Sequence, residues 1–349
     1  MRRRKHAETY RAKVVPDTAK VIGRRKSHQR SVNNSDLLCY PATYGNACPI
    51  RITTAVSGGS GMWRLQNDLW AWNSTGHGPI AKSRITVLLW LLIAVCGNSV
   101  CRADDAVKVL FIGKQPDHPF AAHMYLHTGG MLAECLKLSG KIETVVSDGW
   151  PKDAETLAGV QTIVLYMPPA AEFLLDGPHR AEFEKLMKRG VGLVTLHWAS
   201  SVHQQNLKSL GPTWMSYLGG TWVSNVGLHT GKSPLRQLAP DHPISRGWEE
   251  YEIHDEYYLN PTIGEKATPI VQVMAADKPV VVGWAFEREN GGRAFGTTLG
   301  HYYRNFRQEP FRRMIVNAIL WSAKMDVPQD GAKVNLAAGQ LALPEQPKK

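Results

Sequence analysis

Histidines and carboxylates carry the chemistry that can be read from this chain. His197 and Trp198 close the apolar run 192–198, and His301 follows Leu299-Gly300 at the end of the run 293–299. The run 107–113 leads into Asp117-His118-Pro119-Phe120, with His123 and His127 close behind. Imidazole titrates near working pH and, when neutral, binds metals, so these positions suit proton transfer beside a carbonyl or ligation of a divalent ion. In the segment 251–258, a period of two puts Tyr251, Ile253, Asp255 and Tyr257 on one face, with His254 and Glu256 on the other. A carboxylate among apolar neighbours needs a cation, a donor or a proton. Asp255 is therefore a candidate base or imidazole orienter and Glu256 its assistant; a plain ion pair of Asp255 with Arg293 is the structural alternative. The candidate catalytic set is His197, His301, Asp255 and Glu256, and the candidate substrate contacts are His118, His123, Trp198, His229, His242 and Arg293. For each histidine, a hydrogen-bonded structural role is the competing reading. Zinc, manganese or iron suits a mixture of His and Asp/Glu, with His197, His301 and Asp255 as candidate ligands. No Cys-x-x-Cys pair supports the metal, so the cofactor stays open between a divalent ion and none. Glycine patterns that cradle phosphate are missing, which argues against a nucleotide.

The elements that must position these groups alternate in type. Apolar runs at 107–113, 142–147, 162–167 and 192–198 read as buried strands, and 178–189 reads as a helix with Pro178 at its start and Gly190 beyond its end. Near-continuous apolar strands separated by helices predict a parallel sheet covered on both faces. Past residue 220 the chain turns strand-rich, at 221–225, 251–259, 269–275, 280–286 and 293–299, before a last helix over 309–324. In such a sheet, ligands bind beyond the carboxyl ends of the strands, where His118, His197 and His301 all fall.

The chain has 349 residues and a formal net charge of +11. Residues 1–84 hold 15 Lys+Arg and 4 Asp+Glu, whereas residues 85–349 hold 26 of each sign. The excess lies wholly in the leader, so a nucleic-acid reading fails for the folded part. Residues 1–81 read as a disordered basic leader, with Met62 as an alternative start. Lys82-Ser83-Arg84, the apolar stretch 85–96 and Cys101-Arg102-Ala103 read as a signal peptide over 82–103. Twelve apolar residues span about 18 Å as a helix, short of a bilayer core of about 30 Å. A membrane anchor through 85–100 is the alternative; both readings export residues 104–349. Cys135 alone survives cleavage, which leaves no internal disulfide and makes it a small core residue. Residues 104–327 read as one α/β domain and 328–349 as a flexible tail; the oligomeric state stays open.

Several pieces occur in one order: the segment 190–197, Leu218-Gly219-Gly220, His242-Pro243-Ile244, Asp255-Glu256-Tyr257-Tyr258 and the segment 292–301. Over roughly 107–325 the chain resembles the ThuA-like (trehalose utilisation) family. The resemblance implies a flavodoxin-like, doubly wound α/β fold of the class I glutamine amidotransferase-like superfamily, with a mostly parallel sheet and helices on both faces. It also implies a link to carbohydrate use, including trehalose and keto sugars. Amidotransferases of that superfamily carry a cysteine at the strand-to-helix elbow; here the comparable elbow presents His197, so thiolate chemistry is not expected. The expectation is an exported enzyme acting on a small carbohydrate; a non-catalytic carbohydrate-binding or partner-docking module is the rival.

Overall fold

The structure, a computed structural model, describes residues 106–346. The leader, the signal segment and the alternative membrane anchor at 85–100 lie outside the described residues. Among the described residues, no helix is long and apolar enough to cross a membrane.

The strands are β1 (Val107–Gly113), β2 (Ile142–Asp148), β3 (Val160–Tyr166), β4 (Gly192–Leu196), β5 (Ser201–His203), β6 (Gly220–Ser224), β7 (Leu228–Gln237), β8 (Tyr251–Tyr258), β9 (Thr262–Ile263), β10 (Thr268–Ala275), β11 (Lys278–Glu287) and β12 (Arg293–Thr297). The helices are α1 (Tyr125–Lys137), α2 (Ala170–Leu175), α3 (Arg180–Lys188), α4 (Leu207–Leu218), α5 (Tyr303–Phe306) and α6 (Glu309–Ser322). The main sheet runs β2-β1-β3-β4-β12-β11-β10-β7-β8. Its first five strands pair in parallel, and they form the flavodoxin-like half. From β12 onward every pairing is antiparallel, so the expectation of a mostly parallel sheet holds for one half only. The reason is local: β10 and β11 are joined by Ala276 and Asp277, both at positive φ, a two-residue reversal that can only return the chain antiparallel. Strands β5, β6 and β9 form a small second sheet.

Alternation along β1 explains the layers. Val109 and Phe111 enter one core with Leu132 and Cys135 of α1 and Ile315 and Ile319 of α6. Leu110 and Ile112 enter the other, with Leu174 of α2, Phe183 of α3 and Trp214 of α4. A continuous apolar strand buried on both faces thus sorts its side chains by period two. Burial pushes the Cys135 thiol up to about 11, which makes it an inert core group.

Strand β7 and helix α4 are the longest elements that the sequence does not announce. Strand β7 alternates exposed and buried residues with little apolar content, and α4 contains Gly211-Pro212, which reads as a break. α4 ends on Gly219 at φ +76°, where a Cβ would lie 2.5 Å from the Phe286 side chain. The tail is a correction. Residues 328–346 lack regular structure yet are packed: Ala332 and Val334 are buried, and Arg312 donates to the Val334 carbonyl. Their apolar side chains cover the first core, while Asn317 accepts from the Ala332 N–H and Tyr303 donates to the Leu341 carbonyl.

Candidate functional site

The order β2-β1-β3-β4-β12 places the topological switch point between β1 and β3, and ligands of such sheets bind beyond the carboxyl ends there. Three histidines meet at this rim. His123 comes from the loop after β1, His197 from the 3-10 turn that ends β4, and His301 from the loop after β12. His123 Nε2 lies 3.1 Å from His301 Nδ1, which lies 3.2 Å from His197 Nε2. Each residue offers one ring nitrogen within 4.8 Å of the other two, a donor set able to hold a metal ion.

The backbone makes this convergence at a cost. His197 has φ +55° and His123 φ +48°, left-handed conformations that cost a non-glycine residue of order 1–3 kcal/mol each. At His197 the reversal turns the ring out of the strand onto the rim. His301 is set by Gly300 at φ +114° and by Asp255. The Asp255 carboxylate accepts the N–H groups of Gly300 at 2.7 Å, His301 at 3.1 Å and Glu256 at 3.0 Å. Tyr166 donates to the Gly300 carbonyl from the opposite side.

Hydrogen bonds decide which nitrogens are free. His197 Nδ1 lies 2.8 Å from the Thr298 carbonyl and so must donate to it. Its Nε2 is then a lone pair facing the cluster, and Tyr258 donates to it at 2.9 Å. With Tyr258 donating to His197 Nε2, the Nδ1–H of His301 can serve His123 Nε2. An ion bound between the three rings would take the place of these protons. Burial holds His123 and His301 down at about 4 and His197 well below its ordinary value, so all three are neutral at neutral pH. That is the form that ligates.

A carboxylate completes the arc. Glu256 Oε1 stands 3.6 Å from His301 Nδ1 and 3.8 Å from His197 Nε2, and burial raises its carboxyl. His118 and Trp198 line the mouth: the His118 ring is 5.5 Å from that of His301 and 6.1 Å from that of Trp198. Trp198 is half-buried, its indole N–H held by Ser224 at 3.0 Å.

The structure therefore brings together His118, His123, His197, Trp198, Glu256 and His301. Asp255 sits beneath the cluster, its oxygens turned to backbone N–H groups and not to a ring, and burial pushes it up to about 7. It is a scaffold for His301, so its readings as ligand, base and partner of Arg293 are corrected. Arg293 opens β12, pairs with Glu287 at 3.3 Å and lies over Trp321. The four further residues of β12, at about 3.3 Å each, separate it from the rim. His242 caps the turn Pro243–Ser245, accepting the Ile244 N–H, with its ring against Trp321. His229 stacks on Tyr257 across β7 and β8. His127 donates to the tail at Ala342. Asp117, Tyr125 and Tyr258 escaped the sequence reading. Tyr258 had a signal, because it lies two residues past Glu256 on the same face of β8.

A model of the family described as ThuA, trehalose utilisation, matches residues 108–322. No curated protein sequence matches. Similar solved structures include a ThuA-like protein from Bacteroides uniformis, 16% identical with a TM-score of 0.49, covering 66% of this chain and 97% of that one. A GMP synthase component from Thermoplasma acidophilum is 14% identical with a TM-score of 0.40, covering 63% and 96%. A glutamine amidotransferase from Thermotoga maritima is 11% identical with a TM-score of 0.39, covering 63% and 100%. With its family model matching residues 108–322, more than half of the chain, this chain belongs to the ThuA trehalose utilisation family.

Proposed function

We propose that this protein is an exported enzyme of carbohydrate metabolism that acts on a disaccharide or keto-sugar derivative by metal-assisted acid–base chemistry. One observation carries the reading: His123 Nε2, His197 Nε2 and His301 Nδ1 converge within 4.8 Å beside Glu256. A divalent ion held there would polarise a sugar carbonyl or hydroxyl oxygen. Borderline donors of this kind suit zinc, iron, manganese or nickel.

The chain's own residues supply the rest. Glu256, raised by burial, exchanges a proton nearer neutrality than an ordinary glutamate and faces the same space as the rings. Tyr258 offers a second hydroxyl at the cluster. Trp198 gives an apolar face for a pyranose ring, and His118 hydrogen-bonds hydroxyls at the mouth. The family's link to trehalose utilisation supports a sugar as substrate. Export rests on the apolar stretch 85–96.

The test is metal analysis of the purified full chain, followed by assays on trehalose and its keto derivatives. A stoichiometric transition metal and turnover abolished in both His197→Ala and His301→Ala support the reading. Full turnover in both variants sinks it. Sugar affinity without turnover, lost in Trp198→Ala and kept in His301→Ala, would replace it with the binding-module reading.

A further inference from the structure

One charged group at the rim has no part in the scheme above. Asp117 Oδ1 lies 2.7 Å from His123 Nδ1 and 2.8 Å from His118 Nδ1. Tyr125 donates its hydroxyl to both carboxylate oxygens, at 3.1 and 3.2 Å. We infer that Asp117 is the positioning residue that makes His123 a metal ligand, by accepting a hydrogen bond from its Nδ1–H and so leaving the Nε2 lone pair for the cluster.

The inference rests on the metal-assisted reading and follows from proton counting. An ionised carboxylate only accepts, so the ring nitrogen 2.7 Å away must carry hydrogen. The His118 and His123 ring nitrogens and the Tyr125 hydroxyl all turn toward the Asp117 carboxylate, which gives it donors on both oxygens. The Tyr125 oxygen, 2.7 Å from the same nitrogen, has given its proton to Asp117 and shares the Nδ1–H as an acceptor. His123 Nε2 is left unprotonated, 3.1 Å from His301 Nδ1. Backbone contacts fix where the ring stands, since the His123 N–H donates to the His301 carbonyl at 3.1 Å and Tyr303 N–H donates to Ala121. They do not choose its tautomer. On His197 the same task falls to a neutral carbonyl, Thr298. A charged acceptor on His123 adds basicity to the ligating nitrogen, which a carbonyl does less well.

The experiment titrates the metal-free full chain with Co2+, read by its visible absorption, in wild type, Asp117→Ala and Asp117→Asn. Asp117→Ala is expected to weaken Co2+ binding by roughly 10–100-fold. Asp117→Asn, which keeps an oxygen acceptor and loses the charge, is expected to fall between. Nitrogen-15 spectra of the metal-free chain should show His123 protonated on Nδ1 in wild type and as a mixture of tautomers in Asp117→Ala. Equal Co2+ affinity in all three chains overturns the inference, and so does an Nε2-protonated His123 in wild type. If Asp117→Ala does not fold, the Asn variant and the wild-type tautomer decide. If the wild type takes up no metal, the site reading fails, and the tautomer still judges Asp117 by itself.

Discussion

At the start of β12, Arg293 pairs with Glu287 and lies over Trp321, and His242 packs on the other side of that indole while capping a turn. Beyond the end of the same strand, His301 points a ring nitrogen at two further ring nitrogens, over a carboxylate that holds its loop. Both ends contain a desolvated imidazole held at about 4. They differ in what the nitrogens meet. His242 Nδ1 receives a backbone N–H, whereas the three upper rings turn nitrogens toward one another, two of them from left-handed backbone. Burial alone therefore does not mark a functional histidine; ring nitrogens that converge from strained backbone do.

Substitutions at the two ends should separate most widely. His197→Ala or His301→Ala should empty the metal site and lower turnover of a keto-sugar substrate by roughly 10²–10⁴-fold, with metal content and steady-state kinetics as the checks. Equal loss in His242→Ala would erase the distinction between the ends. Asp255→Ala should act on the fold first. Three buried N–H groups lose their acceptor, so denaturant unfolding should show a loss of about 3 kcal/mol.

Next comes pH. Imidazoles titrate near 6.5 when unfolded, and His123 and His301 near 4 when folded. The unfolded chain binds more protons between those values, so their contribution to stability is complete above pH 6.5 and is lost as pH falls toward 4. Asp255, raised to about 7, has the opposite sign, because the folded state takes up its proton first. Four depressed imidazoles, His123, His197, His242 and His301, outnumber it. The melting temperature of the metal-free chain should therefore drop between pH 6.5 and 4, and added metal should steepen the drop. The smallest effect belongs to His242→Ala, a lost turn cap costing about 1 kcal/mol with metal content unchanged.

Most of the parallel half is legible because β1, β4 and β12 are near-continuous apolar runs ended by Gly113 or followed by His197 or His301, and helix α6 shows its apolar stripe plainly. Strand β7 and helix α4 were not, since weak alternation and an internal Pro212 mislead local reading. Within the site, His197 and His301 stood out by ending strands. Asp117 carried no reading of its own beside His118, and Arg293 is a partner for Asp255 only until its distance along β12 is known.

From the amino-acid sequence alone came the alternation of layers, the neutral folded part and the histidines at strand ends. Which of them meet was settled in three dimensions. His123 and His301 are 178 residues apart, and His197 and His301 are 104 apart. Periodicity tells a side chain its face, a property of a few neighbouring residues. The meeting of lone pairs depends on strand order, on left-handed turns and on which acceptor takes each ring proton, and those are properties of the whole packed sheet.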